Sequence, residues 1–442
     1  MEGELTSLEQ RSSTWHALLL ALSASGYALI SVLPVLFQVD SRVVTVPYRS
    51  AFLIASWIFV WFSLVHRRRF GTGRYLYLLA AFWALFLTRM VVDTVFLDEA
   101  IGFTPYDYWT FTLGITLLPC IAFLVIPNWA TMVLAAEMTI FVTVVSAAAN
   151  LWVGWDEFVV SRIGRFQTET LNPIAFGYLG TTLISTSLYI LMCEWPGYRE
   201  RLRARPSLVA LLSLGQMLVA PIVGVAVLYA AGSRGPVIGT MLCILVIAYF
   251  AQVKRVGKFA RMFVLAACAA GALIMIEPVL DEGGGILLDR LESIAIADST
   301  NLSDTERLGL WAGAWEQFIE HPFVGSGLEE KTFRFYPHNM VLESLMATGV
   351  LGGALFLGIF VAGMIAAIRS LRWHGAGWIG LIVVAQTANA IYTGSVWGSQ
   401  VYWHYLIAIL ALNSVMSRAR TSNPTQPAYQ AAALLGPHSR LQ

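Results

Sequence analysis

The sequence predicts an all-α integral membrane protein of about twelve transmembrane helices, with a large, partly helical loop between the ninth and the tenth. Three observations carry this. Of 442 residues, 57% are hydrophobic and only 12% are charged. Apolar stretches of roughly 20 residues, the length that spans a bilayer core, recur along the chain. Arginine and lysine gather in alternate connections between those stretches, as the positive-inside bias demands. The net charge of +1 comes with no pooled basic face, so nucleic acid is not an expected partner.

Taken in order, the apolar windows fall near 15–36, 50–65, 75–96, 109–126, 128–150, 173–193, 207–231, 235–252, 262–280, 339–367, 375–392 and 402–416. The polar, acidic opening Met1–Thr14 lacks the basic start of a cleaved leader, so the first helix is expected to stay. Basic connections at Arg67–Arg69, Arg199–Arg205, Lys254–Lys258, Arg369–Arg372 and Arg418–Arg420 place those turns and both termini in the cytoplasm. Two long connections, Leu151–Asn172 and Asp281–His338, then face outward. The chain divides into helices one to nine over 1–280, the outer loop over 281–338, helices ten to twelve over 339–417 and a disordered tail over 418–442. Within the outer loop, Ser303-Asp304-Thr305-Glu306 reads as a capping box. It opens an amphipathic helix with Leu308, Trp311, Trp315 and Phe318 at helical spacing. That helix ends at His321-Pro322 and the glycines Gly325 and Gly327. No internal repeat suggests two inverted transporter halves.

Cys120, Cys193, Cys243 and Cys268 all lie in apolar stretches without metal-ligand spacing, and they read as small hydrophobes. Ionisable groups at membrane depth are costly and mark function or a satisfied pair. Arg89 and Asp93 stand four residues apart, which lets them neutralise each other; Glu137 is a buried acid or a polar partner. Three arginines, Arg165, Arg234 and Arg307, fall on the outer side against the charge bias. Either each snorkels to headgroups, or together they hold an anion. Guanidinium forks match phosphate oxygens and suit a lipid diphosphate. His338-Asn339, with Glu343 one turn on, stands where the loop re-enters the membrane. It is an interfacial anchor or a base able to take a proton from a sugar hydroxyl near neutral pH. His321, before Pro322, caps helix carbonyls or meets substrate.

The pieces also come in a telling order. Gly164-Arg165-Phe166 and Asn172-Pro173-Ile174 are followed by Ser233-Arg234-Gly235 and Thr305-Glu306-Arg307 with Trp311. Then come His321-Pro322-Phe323-Val324-Gly325-Ser326-Gly327, Pro337-His338-Asn339, Leu342-Glu343 and Gly349-Val350-Leu351-Gly352. Over roughly residues 160–355 this resembles the O-antigen ligase and polymerase superfamily of bacterial envelope glycosyltransferases, on the side of the lipopolysaccharide O-antigen ligases.

The resemblance implies a GT-C-like architecture without metal or other cofactor, consistent with no DxD motif in the outer loops. It implies inverting transfer of a glycan from undecaprenyl diphosphate to a sugar hydroxyl of lipid A core, on the periplasmic face of the inner membrane. In that reading His338, Arg234 and Arg307 are catalytic, while Arg165, Asn339, Glu343, Trp311 and His321 bind substrate. Membrane lipids, the lipid-linked donor and lipid A core are the partners. The acceptor separates three activities: lipid A core for a ligase, another O-unit chain for a polymerase, and a protein hydroxyl for an oligosaccharyltransferase. From other classes, a twelve-helix secondary transporter would show pseudo-symmetric halves, and a lipid scaffold would tolerate change at His338.

Overall fold

The structure, a computed structural model, describes residues 2–97, 102–160, 166–168, 170–204, 206–250, 302–373 and 375–422. Among these residues the chain is all-helical, with no β-strand. The elements are α1 (Glu2–Ile30), α2 (Val32–Phe37), α3 (Ser41–Val65), α4 (Tyr75–Val91), α5 (Pro105–Trp109), α6 (Trp129–Val160), α7 (Pro173–Cys193), α8 (Trp195–Arg203), α9 (Ser207–Ala231) and α10 (Arg234–Phe250). After residues 251–301 come α11 (Leu302–Glu320), α12 (Met340–Ser370), α13 (Gly377–Tyr392) and α14 (Gln400–Ser422).

Among the described residues, eight stretches are long and apolar enough to cross a membrane: Ser12–Phe37, Ser41–Val65, Tyr75–Phe96, Pro105–Leu124, Trp129–Trp155, Pro173–Cys193, Leu208–Ala231 and Met340–Ser370. Arg234–Tyr249 and Gly377–Tyr392 are shorter apolar helices. The expected helix at 262–280, with Cys268, and the loop residues 281–301 lie outside the described residues, as do Arg165 and the tail from 423. The last expected helix forms as α14 but is less apolar, carrying Gln400, His404 and Asn413. Enclosure by protein allows this. His404 is fully buried, its Nδ1 is 2.8 Å from Ser23 Oγ, and its ring stacks on Phe123 at 4.5 Å.

Two local departures from the sequence expectation have clear causes. The stretch expected as one helix at 109–126 runs as α5, a π-helical segment Thr110–Leu117 and a 3₁₀ segment Pro119–Leu124. Pro119 has no N–H to donate, and the widened turn before it is closed by Leu118 N donating to Leu113 O at 3.3 Å. The outer connection expected from Leu151 begins as helix instead, since α6 continues to Val160.

Helices in hydrocarbon associate through small residues and interhelical hydrogen bonds, because apolar burial distinguishes little between lipid and protein. The α1–α6 interface follows that rule. Ser25 Oγ is 2.6 Å from Thr143 Oγ1, and Asn150 Nδ2 donates to Ala28 O at 2.7 Å. Between α7 and α9, Gly180 and Gly224 face each other so closely that a side chain on either would meet the other's backbone. These contacts hold α1 and α7 in place, and a cavity opens between them.

Candidate functional site

The cavity has a volume of about 420 Å³. Its wall draws on α1 (Ala24, Tyr27, Ala28), α3 (Arg49), the π-helical segment (Phe111) and α7 with its preceding residues (Leu171, Asn172, Tyr178, Thr182). The rest comes from Tyr336 and His338, from α13 (Gln386, Asn389), and from the turn Thr393–Val401.

His338 is the sequence-predicted residue that lines this cavity. It sits in left-handed backbone, φ 54°, a conformation that costs a residue with a Cβ roughly 1–2 kcal/mol and persists only where the surroundings enforce it. The enforcement is visible. Its Nδ1 lies 3.3 Å from Thr393 O, and the ring packs on Tyr336 at 4.5 Å and Phe335 at 5.2 Å. A carbonyl can only accept, so Nδ1 carries the hydrogen and Nε2 the free lone pair. Burial holds the imidazole below its ordinary value of 6.5; the Thr393 carbonyl pulls upward, and the Arg307 charge pushes further down. Burial also raises the Tyr336 phenol, with Glu343 adding and Arg307 opposing, so the Arg307 charge reaches both faces of this corner.

The segment carrying His338 is tied down by carboxylates and amides. Asp93, ion-paired to Arg89 at 3.3 Å, accepts from Leu328 N at 2.7 Å. The pair foreseen in the sequence therefore also holds the loop. Glu329 accepts from Gly102 N (2.5 Å), Tyr108 Oη (2.7 Å) and Phe103 N (3.2 Å); burial raises its carboxyl while those donors lower it. Gln317 Oε1 accepts from Lys331 N at 2.7 Å. The glycines of the motif run are packing requirements. Gly325 (φ 72°) and Gly349 (φ 66°) are left-handed, and a Cβ at either would run into the backbone of the other's segment. Ser326 N donates to Met346 O at 2.8 Å and Val350 N to Pro322 O at 2.7 Å, locking the loop to the break in α12 at Gly349. Trp397 completes the floor, with the rings of Tyr108, Phe111, Phe103 and Tyr336 at 4.8, 5.4, 5.5 and 5.7 Å.

Several expected site residues stand elsewhere. Asn339 caps α12, its side chain accepting from Val341 N at 3.0 Å and Leu342 N at 3.2 Å. Glu343 is fully buried and accepts from Val396 N at 2.9 Å, holding the turn that lines the cavity without lining it. Arg234 opens α10 with its side chain exposed, and His321 is exposed at the end of α11; neither is in the cavity wall. Trp311 packs on α11 outside the wall, its Nε1 buried with no partner among the described residues. The side chains of 302–306, the expected capping box, lie outside the description, but α11 forms where the spacing placed it.

The cavity also contains groups the sequence did not single out. Arg49 lies with Cζ 3.8 Å from the Phe111 ring centroid and 5.9 Å from that of Tyr27. No carboxylate is within ion-pair distance of it among the described residues; Asp107 is paired with Arg42 at 3.8 Å. The signal was available, since Arg49 stands at the end of its helix opposite Arg67–Arg69, as Arg165, Arg234 and Arg307 do on theirs. Gln386, one of two amides with Asn389 in the apolar α13, is a second signal of the same kind.

A guanidinium without an acid and a histidine with a free lone pair, both facing one cavity, fit an anionic leaving group and a hydroxyl nucleophile. The O-antigen ligase family model matches residues 218–357. An O-antigen ligase of Pseudomonas aeruginosa is 26% identical over 231 residues, covering 49% of this chain and 47% of that protein. Over these segments the chain is similar to the O-antigen ligase superfamily. It spans less than half the length of this relative, and no solved structure matches it. That similarity and the long apolar helices indicate an integral membrane protein. The matched segment contains His338, Arg234 and Arg307, but Arg49, Tyr178 and the α13 wall fall outside it.

Proposed function

We propose that this protein is an O-antigen ligase, moving a glycan from undecaprenyl diphosphate onto a sugar hydroxyl of lipid A core. It does so at the periplasmic face of the inner membrane, with both termini in the cytoplasm; the alternating basic connections support that orientation. The observation that carries the reading is the shared cavity of His338 and Arg49, in which imidazole Nε2 is free because Nδ1 is engaged by Thr393 O.

The acceptor oxygen attacks the anomeric carbon as the bond from that carbon to the phosphate oxygen breaks, inverting the centre. His338 Nε2 takes the hydroxyl proton, and the electron pair leaves on the diphosphate. Arg49, with Arg307 close enough to be felt at His338, carries the charge growing on that leaving group. Asp93, Glu329 and Glu343 position the loop and the turn that present the base.

The test is transfer by purified protein, with undecaprenyl-diphosphate-linked glycan as donor, lipid A core as acceptor and chelator present. Transfer should persist under chelation and fall about 10²–10⁴-fold in His338→Ala, the usual contribution of a general base. Elongation of the donor, with none on lipid A core, would make the protein a polymerase. Undiminished transfer by His338→Ala would remove the base from the mechanism.

A further inference from the structure

We propose that the deep end of the cavity, where Tyr178, Gln386 and Asn389 line the wall, is a subsite for the hydroxyl or acetamido groups of one sugar ring. This rests on the cavity being the glycan-transfer site.

Tyr178 lies six residues beyond Asn172 at the mouth of α7, and Gln386 seven residues before Thr393 at the mouth of α13. At 1.5 Å per residue both are roughly 10 Å below the opening. The two helices meet around Gly239, where a Cβ would stand 3.3 Å from both Tyr178 and Ala385 O. Here polar groups are left unspent. The Tyr178 hydroxyl is buried and has no partner among the described residues. Gln386 is 6% exposed, and among the described residues its side chain's one hydrogen bond is Oε1 accepting from Asn389 Nδ2 at 3.1 Å, which leaves its own amide hydrogens for another partner. Asn389 Oδ1 is taken by the Thr393 hydroxyl, leaving Asn389 one further N–H.

The unpartnered Tyr178 hydroxyl is costly to leave buried, and the amide hydrogens of Gln386 and Asn389 on the same wall are open to the cavity, so these groups are suited to a bound ligand. The chemistry selects among the parts of the substrate. A diphosphate is matched by the guanidinium of Arg49, not by neutral amides and a phenol. A polyprenyl chain would leave every one of these donors unpaired. A neutral ring rich in oxygen acceptors satisfies them and can lie against Tyr178 and Trp397. That ring belongs either to the donor glycan or to the acceptor core, and binding distinguishes the two.

The experiment measures binding of three probes to the full chain in detergent: undecaprenyl diphosphate, undecaprenyl diphosphate bearing one N-acetylhexosamine, and core oligosaccharide freed of lipid A. Tyr178→Phe and Gln386→Leu should bind bare undecaprenyl diphosphate as the wild type does. Each should lose about tenfold in affinity for one sugar-bearing probe, the effect of a hydrogen bond or two. Loss on the glycosylated lipid assigns the ring to the donor, and loss on the oligosaccharide assigns it to the acceptor. Because the Tyr178 hydroxyl has no partner among the described residues, Tyr178→Phe should unfold at or above the wild-type temperature, so its binding defect is not a folding defect. Unchanged affinity for both sugar probes in both variants overturns the subsite and leaves the ligase reading standing. Failure of the wild type to bind undecaprenyl diphosphate overturns the cavity reading and the subsite with it.

Discussion

At the end of the bundle away from the cavity, arginines are spent on the protein itself. Arg201 donates to Ala130 O at 3.2 Å and stands 3.9 Å from the Glu137 carboxylate; Arg418 donates to Thr72 O at 2.6 Å. At the cavity end, Arg49 rests on the faces of Phe111 and Tyr27 with no acid in ion-pair range among the described residues. An arginine whose fork closes on a carbonyl and a carboxylate is an anchor. One held over aromatic faces at a cavity wall, sharing a side-chain hydrogen bond with Tyr27 and no close carboxylate among the described residues, has fork donors left for a ligand, and its planar cation is stabilised there without being neutralised. The difference separates the two readings an arginine near a membrane surface always admits.

The sharpest way to break that comparison is Arg49→Ala. Donor binding should weaken about 10²-fold, as expected when a charge-assisted bidentate contact is removed. Arg49→Lys should recover only part of it, because an ammonium cannot reproduce the fork. Titration of undecaprenyl diphosphate against each variant gives both numbers, and equal binding by all three would reduce Arg49 to a packing residue.

A smaller effect lies in the pH profile. The base must be neutral to accept a proton, and burial has lowered the His338 value below 6.5, so transfer should be flat above about pH 6.5 and decline only as pH falls through the lowered value. The same shift ties stability to pH with the same sign: the unfolded chain takes the proton first, so stability falls as pH drops below 6.5. Since Arg307 contributes to the lowering, Arg307→Ala should move the acid limb toward higher pH. A limb that stays in place would show that the Arg307 charge does not reach the base.

Much of this was legible in the sequence, and what was not has physical reasons. Apolar length located the helices, because a bilayer sets a minimum span that composition must meet. His338 was legible as a polar residue just before a long apolar helix, and α11 as an amphipathic run. The break at Gly349 and the π-helical segment before Pro119 were not, since a locally apolar run does not reveal where its ladder shifts register. Asn339 and Glu343 have the chemistry of a site but are occupied by backbone N–H groups of Val341, Leu342 and Val396. Sequence spacing cannot show such partners when, as with Val396, they are 53 residues away. Arg49 was missed although the charge bias that singled out Arg165, Arg234 and Arg307 applies equally to it.

The smallest expected effect is the control for the whole comparison. Arg201 is about a fifth exposed and its carboxylate partner is distant at 3.9 Å, so solvent screens the pair and Arg201→Ala should cost about 1 kcal/mol of stability. Glu137→Gln in the same chain should return most of that, because the cost is that of stranding a buried carboxylate. Donor affinity and transfer should stay within about twofold of wild type, read in the same assays as Arg49→Ala. If Arg201→Ala reduced donor binding as far as Arg49→Ala does, at unchanged unfolding temperature, then an engaged fork would be no guide to an arginine's role, and the assignment of Arg49 would have to rest on its place in the cavity alone.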